Sequence, residues 1–143
     1  MADKGKKKKQ GKQGSKVSQA ENRERQFRSF LYMLPVEADV KQLAEVLDFL
    51  GREQIEIWTE VNLLELTLTN GTLTFEDMMA EMERPEDAAL LREMEIKQVY
   101  ACDYEAADAL EVRHIMSALT EQLGGLLASD TEDFQPFLKP EEL

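Results

Sequence analysis

The chain has 143 residues, 43% of them apolar, and a formal net charge of −12. That length leaves room for one domain with one ordinary core, and no run approaches the roughly 18 apolar residues of a membrane span. A single cysteine, Cys102, excludes an internal disulfide and suits a reducing compartment, so a cytoplasmic protein is expected.

The charge is unevenly placed. The first 28 residues hold ten basic side chains against three acidic ones, a charge of +7; the remaining seven basic and 26 acidic residues give the body −19. Asymmetry of this kind is informative about partners rather than about fold. Residues 1–26 are rich in Lys, Gln, Gly and Ser, with Val17 the one large aliphatic after Met1 and no aromatic. Such a composition buries too little surface to offset ordering entropy, so a disordered basic tail is expected over 1–26. It has no apolar run like that of a secretory signal, and Ala2 excludes myristoylation. Within it, Lys6, Lys7, Lys8, Lys9, Lys12 and Lys16 are the candidate polyanion-binding residues. A lysine run binds nucleic acid or another polyanion by displacing counterions, without sequence preference and without base stacking.

Residues 27–134 read as an acidic α/β domain. Phe27 to Leu34 is apolar on both faces, as in a buried strand. Pro35 suits the first turn of a helix, and Val40, Leu43, Val46, Leu47 and Leu50 continue a helical stripe up to Gly51. Residues 54–69 fit either period, but Asn70-Gly71 is a strong hairpin signal. A two-residue turn there sets Thr69 against Thr72, Leu68 against Leu73 and Leu66 against Phe75, so strands are expected over 54–69, broken near Asn62, and over 72–76.

Met78, Met79 and Met82 begin helical spacing, Arg84-Pro85 interrupts it, and Leu90, Leu91 and Met94 resume it. Lys97 to Asp103 reads as a short buried strand and Glu105 to Leu123 as the longest helix, closed by Gly124-Gly125. Leu126 to Ala128 is a last short strand. Residues 135–143, with Pro136 and Pro140, read as an extended C-terminal tail. The order β-α-β-β-β-α-β-α-β implies an α+β fold, a small mixed sheet with helices packed on it and βαβ-type halves around a central hairpin. A ferredoxin-like arrangement is the first choice.

Chemical motifs are sparse. There is no phosphate-binding glycine loop, dinucleotide fingerprint, nucleophile elbow or HExxH. Cys102 lies in an apolar strand and His114 beside an apolar helical stripe, which suits packing better than catalysis. Asp103 and Glu105 follow one strand, and Asp130, Glu132 and Asp133 another; if these loops converge, they form a hard-cation site for a metal-dependent enzyme. Trp58 and the methionines suit either core or an adaptable binding groove. The expected function is therefore binding without a cofactor, through the lysine arm to a polyanion. Its alternatives are an interaction or inhibitor module whose acidic surface meets a basic protein, and the metal-dependent enzyme.

Overall fold

The computed structural model describes residues 26–143. The candidate lysines of the arm lie outside that range. Within the described range seven strands form one sheet: β1 (Phe27–Leu34), β2 (Ile55–Trp58), β3 (Leu63–Thr67), β4 (Thr72–Asp77), β5 (Gln98–Glu105), β6 (Leu126–Ala128) and β7 (Phe137–Leu138). Among the described residues there are three α-helices: α1 (Val40–Val46), α2 (Pro85–Glu93) and α3 (Ala109–Leu123). None is long and apolar enough to cross a membrane.

The sheet order is β2-β3-β4-β5-β1-β6-β7, and every neighbouring pair is antiparallel. The expected small mixed sheet is thus a larger, wholly antiparallel one. Neither strand–helix–strand segment joins adjacent parallel strands. β5 and β6 run the same way, but β1 lies between them and opposes both. The link through α1 carries the chain from central β1 to the far edge at β2.

Alternation along the strands divides the sheet into two faces. On one, Phe30, Tyr32, Leu64, Leu66, Leu73, Phe75, Tyr100 and Cys102 pack against Val40 and Leu43 of α1 and Val112, Met116 and Leu119 of α3. On the other, Leu31, Met33, Val99 and Ala128 meet Met82, Leu91 and Phe134. Met78, Met79 and Met94 are half-buried against this second core, so the methionines serve packing. Trp58 does not join them.

Local chemistry explains several boundaries. α1 begins at Val40 rather than at Pro35, because Asp39 caps it: its carboxylate accepts from the Gln42 N–H at 3.0 Å, and the Gln42 side chain accepts from the Asp39 N–H at 2.8 Å. Pro35 instead bends the chain out of β1. The break between β2 and β3 falls at Asn62, in the left-handed region at φ 52°. Its Oδ1 accepts from the Val40 N–H at 3.0 Å, and its Nδ2 donates to Asp77 at 2.8 Å and to the Tyr100 hydroxyl at 3.1 Å. Tyr100 in turn donates to the Ala38 carbonyl at 2.6 Å. One side chain therefore ties the start of α1 to two strands. Pro85 takes the first position of α2, where a missing N–H is harmless.

The hairpin forms, but in a different register. Leu66 faces Leu73 and Leu64 faces Phe75, two residues away from the expected pairing. A shift of two leaves every side chain on its expected face. The loop is 68–71, and neither Asn70 nor Gly71 has positive φ. The turn is held from outside: Asp108, 1% exposed, accepts from the Asn70 N–H, the Asn70 side chain and the Gly71 N–H at 2.9, 2.8 and 2.9 Å. An external carboxylate removes the need for the left-handed turn that the dipeptide favours.

Residues 135–143 are not simply an extended tail. Phe137 and Leu138 add the edge strand β7, a 3-10 turn spans Pro140–Glu142, and Leu143 is buried in the larger core. Its carbonyl accepts from the Arg113 guanidinium at 2.6 Å.

Candidate functional site

The helix-free part of the sheet's second face is the most distinctive surface among the described residues. α2 and the 3-10 turn at Met79–Met82 cover the β1–β5 end of that face but not β2, β3 and β4. Pairing draws a row across the uncovered part. Glu56 lies opposite Glu65, Glu65 opposite Thr74, Thr74 opposite Asp103, and Asp103 opposite Ser29. The adjacent row runs Trp58, Leu63, Glu76, Ala101 and Leu31. Glu56, Trp58, Glu76, Asp103 and Ser29 are exposed, and Glu65, Leu63 and Thr74 half-buried.

No Lys or Arg falls on these rows, so Glu56, Glu65, Glu76 and Asp103 form a face of one sign. Two glutamates directly opposite each other cost stability, because cross-strand neighbours sit only about 5 Å apart at Cβ. The environment acts on Asp103 in the same sense: partial burial, then the charge of Asp130, push its carboxyl above the usual 3.8. Trp58 adds an exposed aromatic surface, 39% accessible, among the carboxylates. An aromatic face and several carboxylates together suit an ammonium or guanidinium, one attracting it through its quadrupole and the others by charge.

The other sequence-derived residues separate. Asp103 lies on the acidic face, with Asp130 near enough to act on it. Glu105 is buried at the far end of β5, with Gly71 packed closely over its carboxyl group. Asp133 is engaged in its own loop, where it accepts from the Gln135 N–H and from the Thr131 hydroxyl, both at 3.1 Å. Glu132 borders a hollow beside Arg84 and Asp87. The two acidic loops therefore do not close on one point, and no group of three or more metal-ligating side chains occurs among the described residues.

Cys102 is wholly buried, and burial pushes its thiol well above the ordinary range. His114 is exposed and meets Phe49 edge-on at 5.0 Å between ring centres. The acidic face itself was missed in the sequence. Glu56, Glu65 and Glu76 look like the ordinary polar half of alternating strands, and only the strand pairing reveals that they share rows. Compared with known proteins, the chain matches no family model, no curated protein and no solved structure.

Proposed function

We propose that this protein is a binding module, and that the open acidic face of its sheet receives a lysine- or arginine-rich segment of a partner protein. The observation that carries the reading is the like-charged cross-strand pair Glu56–Glu65, within a face that has four exposed or half-buried carboxylates and, among the described residues, no basic one. A sequence that breaks a local stability rule without local compensation commonly does so for function. Binding a cation beside the pair would relieve the repulsion. Trp58 would supply the apolar and cation–π contact that fixes the segment in place. The reading needs neither catalysis nor a cofactor. The lone, unpaired Cys102 favours a reducing compartment such as the cytoplasm.

The strand order around the face also supports a ferredoxin-like assignment. β4, β5, β1 and β6 stand side by side, with the β5–α3–β6 segment split by β1.

Calorimetry with a twelve-residue Lys/Arg peptide tests the function. The full chain should bind it, and the double variant Glu56→Gln, Glu76→Gln should bind about tenfold more weakly. Equal affinity for both proteins would reject the face as the site.

A second reading rests on the uneven charge. The lysine arm would engage a polyanion through phosphates, with Lys6, Lys7, Lys8 and Lys9 prominent among the contacts. If about six lysines contact duplex phosphates, log affinity falls with log salt at a slope near −5, and changing Lys6 to Lys9 to Gln flattens it by about 3 to 4. No salt dependence in the full chain would remove this reading.

A further inference from the structure

The helical side of the molecule carries a second unpartnered surface, on the opposite side of the sheet from the acidic face. It is a furrow between the end of α1 and the outer flank of α3. One hollow, of about 330 Å³, is lined by Phe49, Leu50, Leu68, Leu110 and Ile115, with Glu111 and His114 at its rim. Next to it, a hollow of about 350 Å³ shares Phe49 as a wall and continues past Ala118 to Glu45, Asp48 and Glu121. Each is near the lower limit of small-molecule pockets, and together they mark out a track divided by Phe49, whose ring meets His114 edge-on at 5.0 Å between ring centres.

The helix supplies that track in register. Leu110, His114, Ala118 and Glu121 lie four, four and three positions apart, on one stripe of α3. This stripe lies beside the buried one of Val112, Met116 and Leu119, and of its members only Ala118 packs partly against that core. It spans about three turns, or roughly 17 Å. Leu110 is 76% exposed and Phe49 47%, although both are large and apolar. Four carboxylates, those of Glu45, Asp48, Glu111 and Glu121, flank the track, and among the described residues no Lys or Arg lines either hollow.

We propose that this furrow docks an amphipathic helix of a partner protein, about three turns long, with an apolar stripe bordered by lysines or arginines. The apolar floor and acidic walls are complementary to such a helix. Two other occupants fit less well. The lysine arm has only Val17 and Met1 as large apolar residues and cannot fill an apolar floor. A second copy would bring another strongly acidic body, and its described helices bury their apolar stripes in their own core.

Titration of the isotope-labelled full chain with a 14-residue Leu/Lys amphipathic peptide tests the proposal. Amide shifts should centre on Phe49, Leu110, His114 and Ala118, and the peptide should gain helical ellipticity. Leu110→Ser exchanges an exposed side chain, so the fold should persist by circular dichroism while affinity falls at least tenfold. Glu45→Gln with Glu121→Gln should lower affinity several-fold and flatten its salt dependence. An unchanged affinity in Leu110→Ser overturns the proposal, as does equal binding of a Leu/Glu peptide. Shifts centred on Trp58 and Asp103 would assign the peptide to the sheet face instead, and concentration-dependent dimerisation that protects Leu110 would assign the furrow to a second copy. Loss of binding in Leu110→Ser with retention in Glu56→Gln, Glu76→Gln separates this site from the sheet-face function.

Discussion

Leu64, Leu66, Leu73 and Phe75 leave β3 and β4 on one side and are completely buried. Glu65, Thr74 and Glu76 are their immediate neighbours in the same two strands, leave on the other side, and stay half-buried or exposed. One backbone thus carries two surfaces with different demands. The first is a packed core that fixes the register. The second inherits that register and must accept whatever neighbours it brings, including Glu56 against Glu65. Stability comes from the first face, while the second can carry an unfavourable charge arrangement because the first tolerates it.

The largest expected effect lies on the covered face. Phe75→Ala removes a fully buried ring that sits edge-on to Tyr100 with 6.3 Å between ring centres. It should cost about 3–5 kcal/mol in denaturant unfolding. A loss under about 1 kcal/mol would mean that this face is not the core.

Next comes the anchor of the hairpin. Asp108→Ala leaves the Asn70 and Gly71 N–H groups without their acceptor and should cost about 1–3 kcal/mol. Amide exchange at Gly71 should accelerate markedly. Unaltered exchange there would show that the turn holds its own shape.

On the open face the sign reverses. Glu65→Lys turns a like-charged cross-strand pair into an opposite one, so the protein should gain about 0.2–1 kcal/mol while losing affinity for a cationic peptide. A thermal melt and a binding curve on the same sample check both halves. Reduced stability would contradict the electrostatic description of the face.

Asp103 gives the smallest effect and a pH signature. Its folded value is raised above 3.8, so the folded state holds the proton more tightly than the unfolded one. Below that pH the carboxyl is protonated in both states and has no effect. As pH rises through the folded value, the cost of charging it beside Asp130 appears and stability falls. Asp103→Asn should therefore match the parent in strong acid and exceed it at neutral pH. The difference should open just above 3.8 in urea melts taken across pH.

Much of the fold was legible in the sequence because it depends on periodicity. β1 spans Phe27–Leu34 as its largely apolar sequence predicts, with residues 30–34 buried on both faces, and the interruption at Asn62 and the helix ending at Leu123 also follow from local pattern. Pairing is a different kind of information. The sheet order brings β5 between β4 and β1, a contact between residues far apart in sequence that no local window contains. The hairpin slipped by two because Asp108, 37 residues beyond Gly71, competes with the preference of the turn itself. The acidic face was hidden for the same reason: it is a property of rows, and rows exist only once the strands are in order. The C-terminal strand was concealed by its two prolines, although Phe137 and Leu138 between them carry the signal that seats it against β6.

Trp58 is the chain's single tryptophan, so its emission reports on the open face alone. The most direct test follows that emission while the full chain is titrated with a twelve-residue Lys/Arg peptide, beside the variant Glu56→Gln, Glu65→Gln, Glu76→Gln. A saturable change in Trp58 emission, weakened at least tenfold in the variant and by added salt, is the expected result. Peptide binding detected by calorimetry with Trp58 emission unchanged, or an equal response from the variant, would contradict the assignment of the acidic sheet face as the binding site.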